Sequence, residues 1–192
     1  MKNRLLLLVL AGVVFIVAGC AHYSLVESGN RVDVGQGLWV ESDVAWSRAK
    51  YRGAVTWTVD GPGLQQLFFF PGVDDGNPLL KPVAGNDSKA MPAYRVGMTF
   101  LEVMDLLEAT MARENVHKFE KQNMHPVTFG GEDGFRFDFS YVSEAGLDYQ
   151  GTATGAVKNN KLYLVVYVGT ILHYYEKYSA EVDRIIKSIE FL

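Results

Sequence analysis

Phe135-Arg136-Phe137-Asp138-Phe139-Ser140-Tyr141 alternates four aromatic residues with three polar ones. That is the period of a β-strand with one buried face. Four aromatics on one side demand an apolar cover, and a helix is the expected element. Upstream, Gly130-Gly131-Glu132-Asp133-Gly134 has turn chemistry, and Val127 to Phe129 reads as a short strand. Because it follows Pro126, that strand belongs at an edge or at a strand start. Downstream, Leu147 to Val157 makes the next strand, with Gly151 and Gly155 on the face of Tyr149 and Ala153. The glycines predict close approach of a covering helix. Asn159-Asn160 suits a two-residue hairpin turn, because asparagine tolerates positive φ. Lys161 to Val168 follows, with Leu162, Leu164, Val166 and Val168 on one face and Tyr163, Val165 and Tyr167 on the other. A strand apolar on both faces is expected to be central.

Two helices flank this meander. Thr99-Phe100-Leu101-Glu102 matches a capping box. Phe100, Val103, Met104, Leu107 and Met111 then fall at helical spacing, which predicts a helix from about 100 to 114. The methionines of that stripe read as core packing. The second helix is expected from Tyr174 to Lys187, with Tyr178, Val182, Ile185, Ile186 and Ile189 as its stripe. Lys177, Glu181, Asp183 and Arg184 are assigned to its solvated side. Residues 188–192 suit a short terminal strand. Earlier in the chain, residues 54–59 alternate as a strand, Asp60-Gly61-Pro62-Gly63 turns, and 64–70 return. Residues 71–92 hold four of the six prolines and show no periodicity, the pattern of a functional or mobile loop. The order predicts an α+β domain over 37–192, an antiparallel β-sheet with helices packed on its faces.

The N-terminus carries an address. Lys2 and Arg4 precede an apolar run from Leu5 to Ala18, and the run closes Val17-Ala18-Gly19-Cys20. Fourteen apolar residues fall short of the ~20 that a spanning helix needs. A basic start, an apolar stretch and small residues before a cut site form a secretory signal. The closing motif resembles the lipobox of bacterial lipoproteins. That resemblance implies a signal peptide over 1–19, cleavage before Cys20, diacylglycerol on its thiol, acylation of the new amine by a chain such as palmitate, and a tether over 20–36. Two acyl chains give stable anchoring where one does not. An ordinary cleaved signal with a leftover cysteine is the alternative. Ala21, where an aspartate retains many Gram-negative lipoproteins in the inner membrane, implies the outer membrane facing the periplasm.

Composition narrows the partners. The full chain has net charge −4, with 18 basic and 22 acidic residues. Loss of Lys2 and Arg4 with the signal makes it −6, and 192 less 19 residues leaves 173, enough for one domain with a real core. An acidic chain without a basic run argues against nucleic acid, and against electrostatic binding to anionic lipid. Cys20 is the single cysteine, so no intramolecular disulfide forms.

On the aromatic meander from Phe135 to Val168 and the closing helix with Lys187-Ser188-Ile189-Glu190-Phe191, the region from Thr99 to Leu192 resembles the PsbP-like family, which includes the Mog-type Ran-binding proteins. The resemblance implies an α/β/α sandwich and accessory or assembly roles without catalysis. It supplies no active site to carry over.

Candidate chemistry is sparse. His22, His117, His125 and His173 lie in no catalytic spacing. Asp74, Asp75 and Asn77 offer hard oxygens around Gly76, but without the ligand spacing of an EF-hand, and those residue types also make tight turns. Glu132 and Asp133 are neighbours, and neighbours on a strand point to opposite faces. No Walker or dinucleotide motif is present, and no metal or cofactor is expected. The leading functional expectation is a non-catalytic, lipid-anchored envelope protein that binds or supports another envelope component. The loop 71–92, Trp39 and Trp46 are its candidate contact surfaces. A carrier of a small apolar ligand or lipid is the first alternative. An envelope hydrolase, with His125 or His173 joined to a carboxylate, is the second.

Overall fold

The computed structural model describes residues 23–83 and 90–192. The lipobox and Cys20 lie outside the described residues. The chain order is β1 (Ser24–Val26), β2 (Arg31–Gly35), β3 (Leu38–Glu41), β4 (Trp46–Tyr51), β5 (Ala54–Thr58) and β6 (Gln65–Val73). Then come α1 (Phe100–Arg113), β7 (His117–Phe129), β8 (Glu132–Val142), β9 (Asp148–Lys158), β10 (Lys161–Thr170), α2 (Tyr174–Lys187) and β11 (Glu190–Phe191). Eight strands form one sheet in the order β1-β4-β5-β6-β10-β9-β8-β7, and β11-β3-β2 form a second, smaller sheet. Every pairing is antiparallel. Among the described residues the fold is therefore α+β, mostly antiparallel sheet with two helices.

The central strand explains how the core divides. Tyr163, Val165 and Tyr167 of β10 share one apolar cluster with Tyr178, Val182 and Ile185 of α2. Leu162, Leu164, Val166 and Val168 share the other with Val103, Leu106 and Leu107 of α1. Alternate strand residues point to opposite faces, so the two helices draw on opposite faces of the sheet. The aromatic row of β8 belongs to the α1 side, where Phe100 lies 4.8 Å from Phe135 between ring centroids. α1 begins at the expected capping box: the Thr99 side chain accepts from the Glu102 N–H, and Glu102 accepts from the Thr99 N–H. Asn159 and Asn160 take positive φ in the β9–β10 hairpin.

Several expectations are corrected. Part of the 20–36 tether is strand: β1 pairs with β4, β2 pairs with β3, and Val26 and Val34 are buried. One buried residue in so short a strand leaves no period to read. β7 spans thirteen residues rather than three. Its two register shifts, with positive φ at Lys118 and Asn123, interrupt the alternation that would have revealed it. It does lie at the sheet edge, where bulges and Pro126 discourage further pairing. The space at Gly151 is taken by the Phe139 ring and that at Gly155 by the backbone of β10, not by a helix. Residues 71–73 belong to β6, and Pro78 bridges Ala93 with Leu79, Leu80 and Tyr94 buried beside them, so the flanks of the long loop are pinned. Glu181, assigned to the solvated side of α2, is buried.

Candidate functional site

A groove of about 840 Å³ lies at the β4–β5 hairpin. Arg48 and Lys50 are two apart on β4, so they share a face. Arg52 follows in the turn, and Lys81 reaches the same lining from the loop after β6. Gln36, Pro71 and Asn77 complete the wall. The corner is held by reciprocal bonds: the Lys81 N–H donates to the Arg52 carbonyl at 2.8 Å, and the Arg52 guanidinium donates to the Lys81 carbonyl. Arg52 and Gly53 take positive φ there, and a Cβ on Gly53 would lie 3.3 Å from the Lys81 stem. Arg52 also pairs with Glu114. Burial works against its charge, and the Glu114 carboxylate and Tyr51 hydroxyl outweigh that, raising its pKa.

The charge of this groove differs from that of the whole chain. Among the described residues four cations line it, and Asp74 is the one carboxylate on the wall. Asp74 is paired with Lys161 at 3.1 Å. Among the described residues, Arg48, Lys50 and Lys81 have no carboxylate within ion-pair distance. A phosphate or carboxylate ligand matches such a lining: guanidinium offers a planar fork and ammonium a point charge.

A second cleft, of about 230 Å³, opens between the C-terminal end of α1 and the sheet. Phe68, Phe70, Leu107, Met111 and Val166 make it apolar, and Glu114 and Glu144 stand on its wall. Its volume lies below the roughly 300–1,000 Å³ of pockets that enclose a drug-sized ligand. Tyr141 and Tyr149 stack across its floor at 4.9 Å, and burial pushes both hydroxyls above the ordinary tyrosine value.

The residues singled out in the sequence do not converge. His117 and His125 are exposed on β7, and His173 is exposed before α2. His125 Nδ1 meets the Asn123 carbonyl at 2.7 Å, so its near partner is backbone rather than a carboxylate. His22 lies outside the described residues. Asp75 accepts from the Val96 N–H at 2.9 Å, and the Asn77 N–H donates to the Asp74 carbonyl, which is turn bonding. Among the described residues no cluster of three His, Cys, Asp or Glu side chains could hold a metal. Glu132 opens β8 and pairs with Lys158. Of the two candidate contact tryptophans, Trp46 is corrected to core: it is fully buried, 6.2 Å from Trp57 and 5.7 Å from Tyr178 between ring centroids. Trp39 is partly exposed with the Arg31 guanidinium over its ring. The groove cations were missed. Arg48-Ala49-Lys50 did carry a signal, two cations on one strand face, but Lys81 is joined to them only by the fold.

No known protein family matches the chain, and no curated protein sequence matches it. Among solved structures it is similar to the solution structure of cyanobacterial PsbP (CyanoP) from Synechocystis sp. PCC 6803. The TM-score is 0.51 at 11% identity, over 92% of this chain and 96% of that one. This likeness speaks for the fold alone, and the fold is PsbP-like. The crystal structure of LpqN, involved in cell envelope biogenesis of Mycobacterium tuberculosis, aligns with a TM-score of 0.35 at 8% identity, over 88% of this chain and 91% of that one. That score is too low to speak for a common architecture. Among the described residues no helix is long and apolar enough to cross a membrane.

Proposed function

We propose that this protein is a non-catalytic, lipid-anchored envelope protein, held at Cys20 to the outer membrane on its periplasmic side, that binds an anionic component of the envelope. Its α/β/α sandwich serves as a rigid scaffold and the β4–β5 groove as the binding surface. The observation that carries the reading is the groove itself: three cations, unpaired among the described residues, gathered on one concave wall of an acidic chain. Opposite charge in a concavity concentrates an anionic partner and orients it. The likeness to the fold of CyanoP is compatible with a binding role and adds nothing about the partner.

A photo-crosslinking residue at position 50 tests this in cells. An adduct is expected at position 50 and not at Glu176, which is exposed on α2. The position-50 adduct should fall severalfold when Arg48→Glu and Lys81→Glu reverse the groove's charge. Equal adduct yields from the two positions would sink the proposal.

A further inference from the structure

We infer that the occupant of the groove is the phosphate of anionic lipid headgroups in the same bilayer that holds the anchor, so that the β4–β5 hairpin end of the domain lies on the membrane. The inference rests on the anchoring reading above and names the groove's partner.

Strand register supplies the geometry. Ser24 lies opposite Arg48, and Val26 lies opposite Trp46, in an antiparallel pair. Going backwards along β1 therefore means going forwards along β4, toward Lys50, Arg52 and Gly53. The chain arrives at the sheet from the side of the groove. Cys20 precedes Ser24 by four residues, a reach of at most about 14 Å. A lipid on Cys20 keeps Ser24, opposite Arg48, within that reach of the headgroups, so the groove can come inside the roughly 10 Å over which surface charge acts at 0.1 M salt.

Chemistry at this end fits a headgroup layer. Arg48, Lys50 and Lys81 are unpaired among the described residues, and the bonds between Arg52 and Lys81 fix the corner before any ligand arrives. Tyr23 and Tyr51, 47% and 42% exposed, stand at the start of β1 and the end of β4. Tyrosine is favoured at a membrane–water interface, where its ring is apolar and its hydroxyl wet. The net negative charge of the chain opposes an anionic surface everywhere else, so the cationic groove sets the orientation. The charge sum that argued against anionic lipid averages over this local reversal.

The test uses the full chain, made with its own signal and reconstituted in vesicles of phosphatidylcholine alone or mixed with phosphatidylglycerol. Lysines are acetylated with a water-soluble reagent and read by peptide mass. Lys50 and Lys81 are expected to react about tenfold more slowly on the anionic vesicles, with the difference lost in high salt. Lys118, exposed on β7 at the opposite sheet edge, should react alike on both. Equal rates for Lys50 and Lys81 on a chain whose Cys20 is lipidated would overturn the inference. Equivalent protection by inorganic phosphate on neutral vesicles would also overturn it, because the groove would then take a free anion. The Cys20 peptide is weighed in the same sample. An unlipidated chain with Lys50 and Lys81 still protected would support the groove and remove the anchor.

Discussion

Phe139→Ala is expected to cost about 4 kcal/mol of folding stability, read as a fall in the urea midpoint with little change of slope. Phe139 is fully buried in the α1-side core. Its ring centroid lies 5.0 Å from that of Phe119, 6.0 Å from Phe137 and 6.2 Å from Tyr141. Under the ring is Gly151, in register with Phe139, so the strand beneath offers no side chain to fill the hole. Above it is Phe119 on β7, the edge strand already interrupted by two register shifts. Poor collapse is what makes a large-to-small change expensive, and ~4 kcal/mol is a large share of the 5–15 kcal/mol that holds a typical domain together. A loss below about 1 kcal/mol would contradict the packing described.

The second large effect is electrostatic. Glu181 is 4% exposed, and it ties α2 to the segment before β4. Ser42 Oγ donates to Glu181 Oε1 at 2.7 Å, the Asp43 N–H donates at 2.8 Å, and Arg184 Nε donates to Oε2 at 2.9 Å. Trp46 Nε1 in turn donates to Ser42 Oγ at 2.8 Å, which links the carboxylate to the tryptophan core. Glu181→Ala strands the Asp43 N–H, while Ser42 Oγ keeps the Val44 carbonyl at 2.9 Å and the exposed Arg184 keeps Asp43 at 3.3 Å, so the change is expected to cost about 2 kcal/mol. Burial by itself would raise the Glu181 pKa, but the bonds from Ser42, Arg184 and the Asp43 N–H outweigh it and hold the carboxyl below its ordinary value of 4.5. The folded pKa is thus lower than the unfolded one. The contribution is complete above the unfolded value and is lost as pH falls through the folded one. Asp60 adds the same sign, lowered chiefly by the Tyr178 hydroxyl and then by Lys177. Stability is expected to decline below about pH 4.5, and less steeply in Glu181→Gln than in the parent. Parallel unfolding curves for parent and variant across that range would refute this.

Much of the α+β fold was legible because its middle and end repeat strongly. The β8 aromatics, the two-faced β10 and the α2 stripe each hold one period for seven residues or more. A short periodic segment needs burial on one face to announce itself, and β1 has one buried residue. β7 has length without period, since each bulge reverses which residues face the core. Glu181 falls three residues after Tyr178 and one before Val182, at the border of the stripe. Whether a carboxylate at that border is wet or buried depends on Ser42 and Asp43, far away in sequence. The groove was hidden for a related reason. Charge summed along the chain says acidic, and only the return of the loop after β6 brings Lys81 beside Arg48 and Lys50.

The proposed role depends on where the chain is held. Metabolic labelling with palmitate, followed by peptide mass at the mature N-terminus, tests that most directly. The account predicts a mature chain beginning at Cys20, a diacylglyceryl thioether on its sulfur, label in the parent and none in Cys20→Ser. A parent chain with a free Cys20 thiol and no label would contradict it.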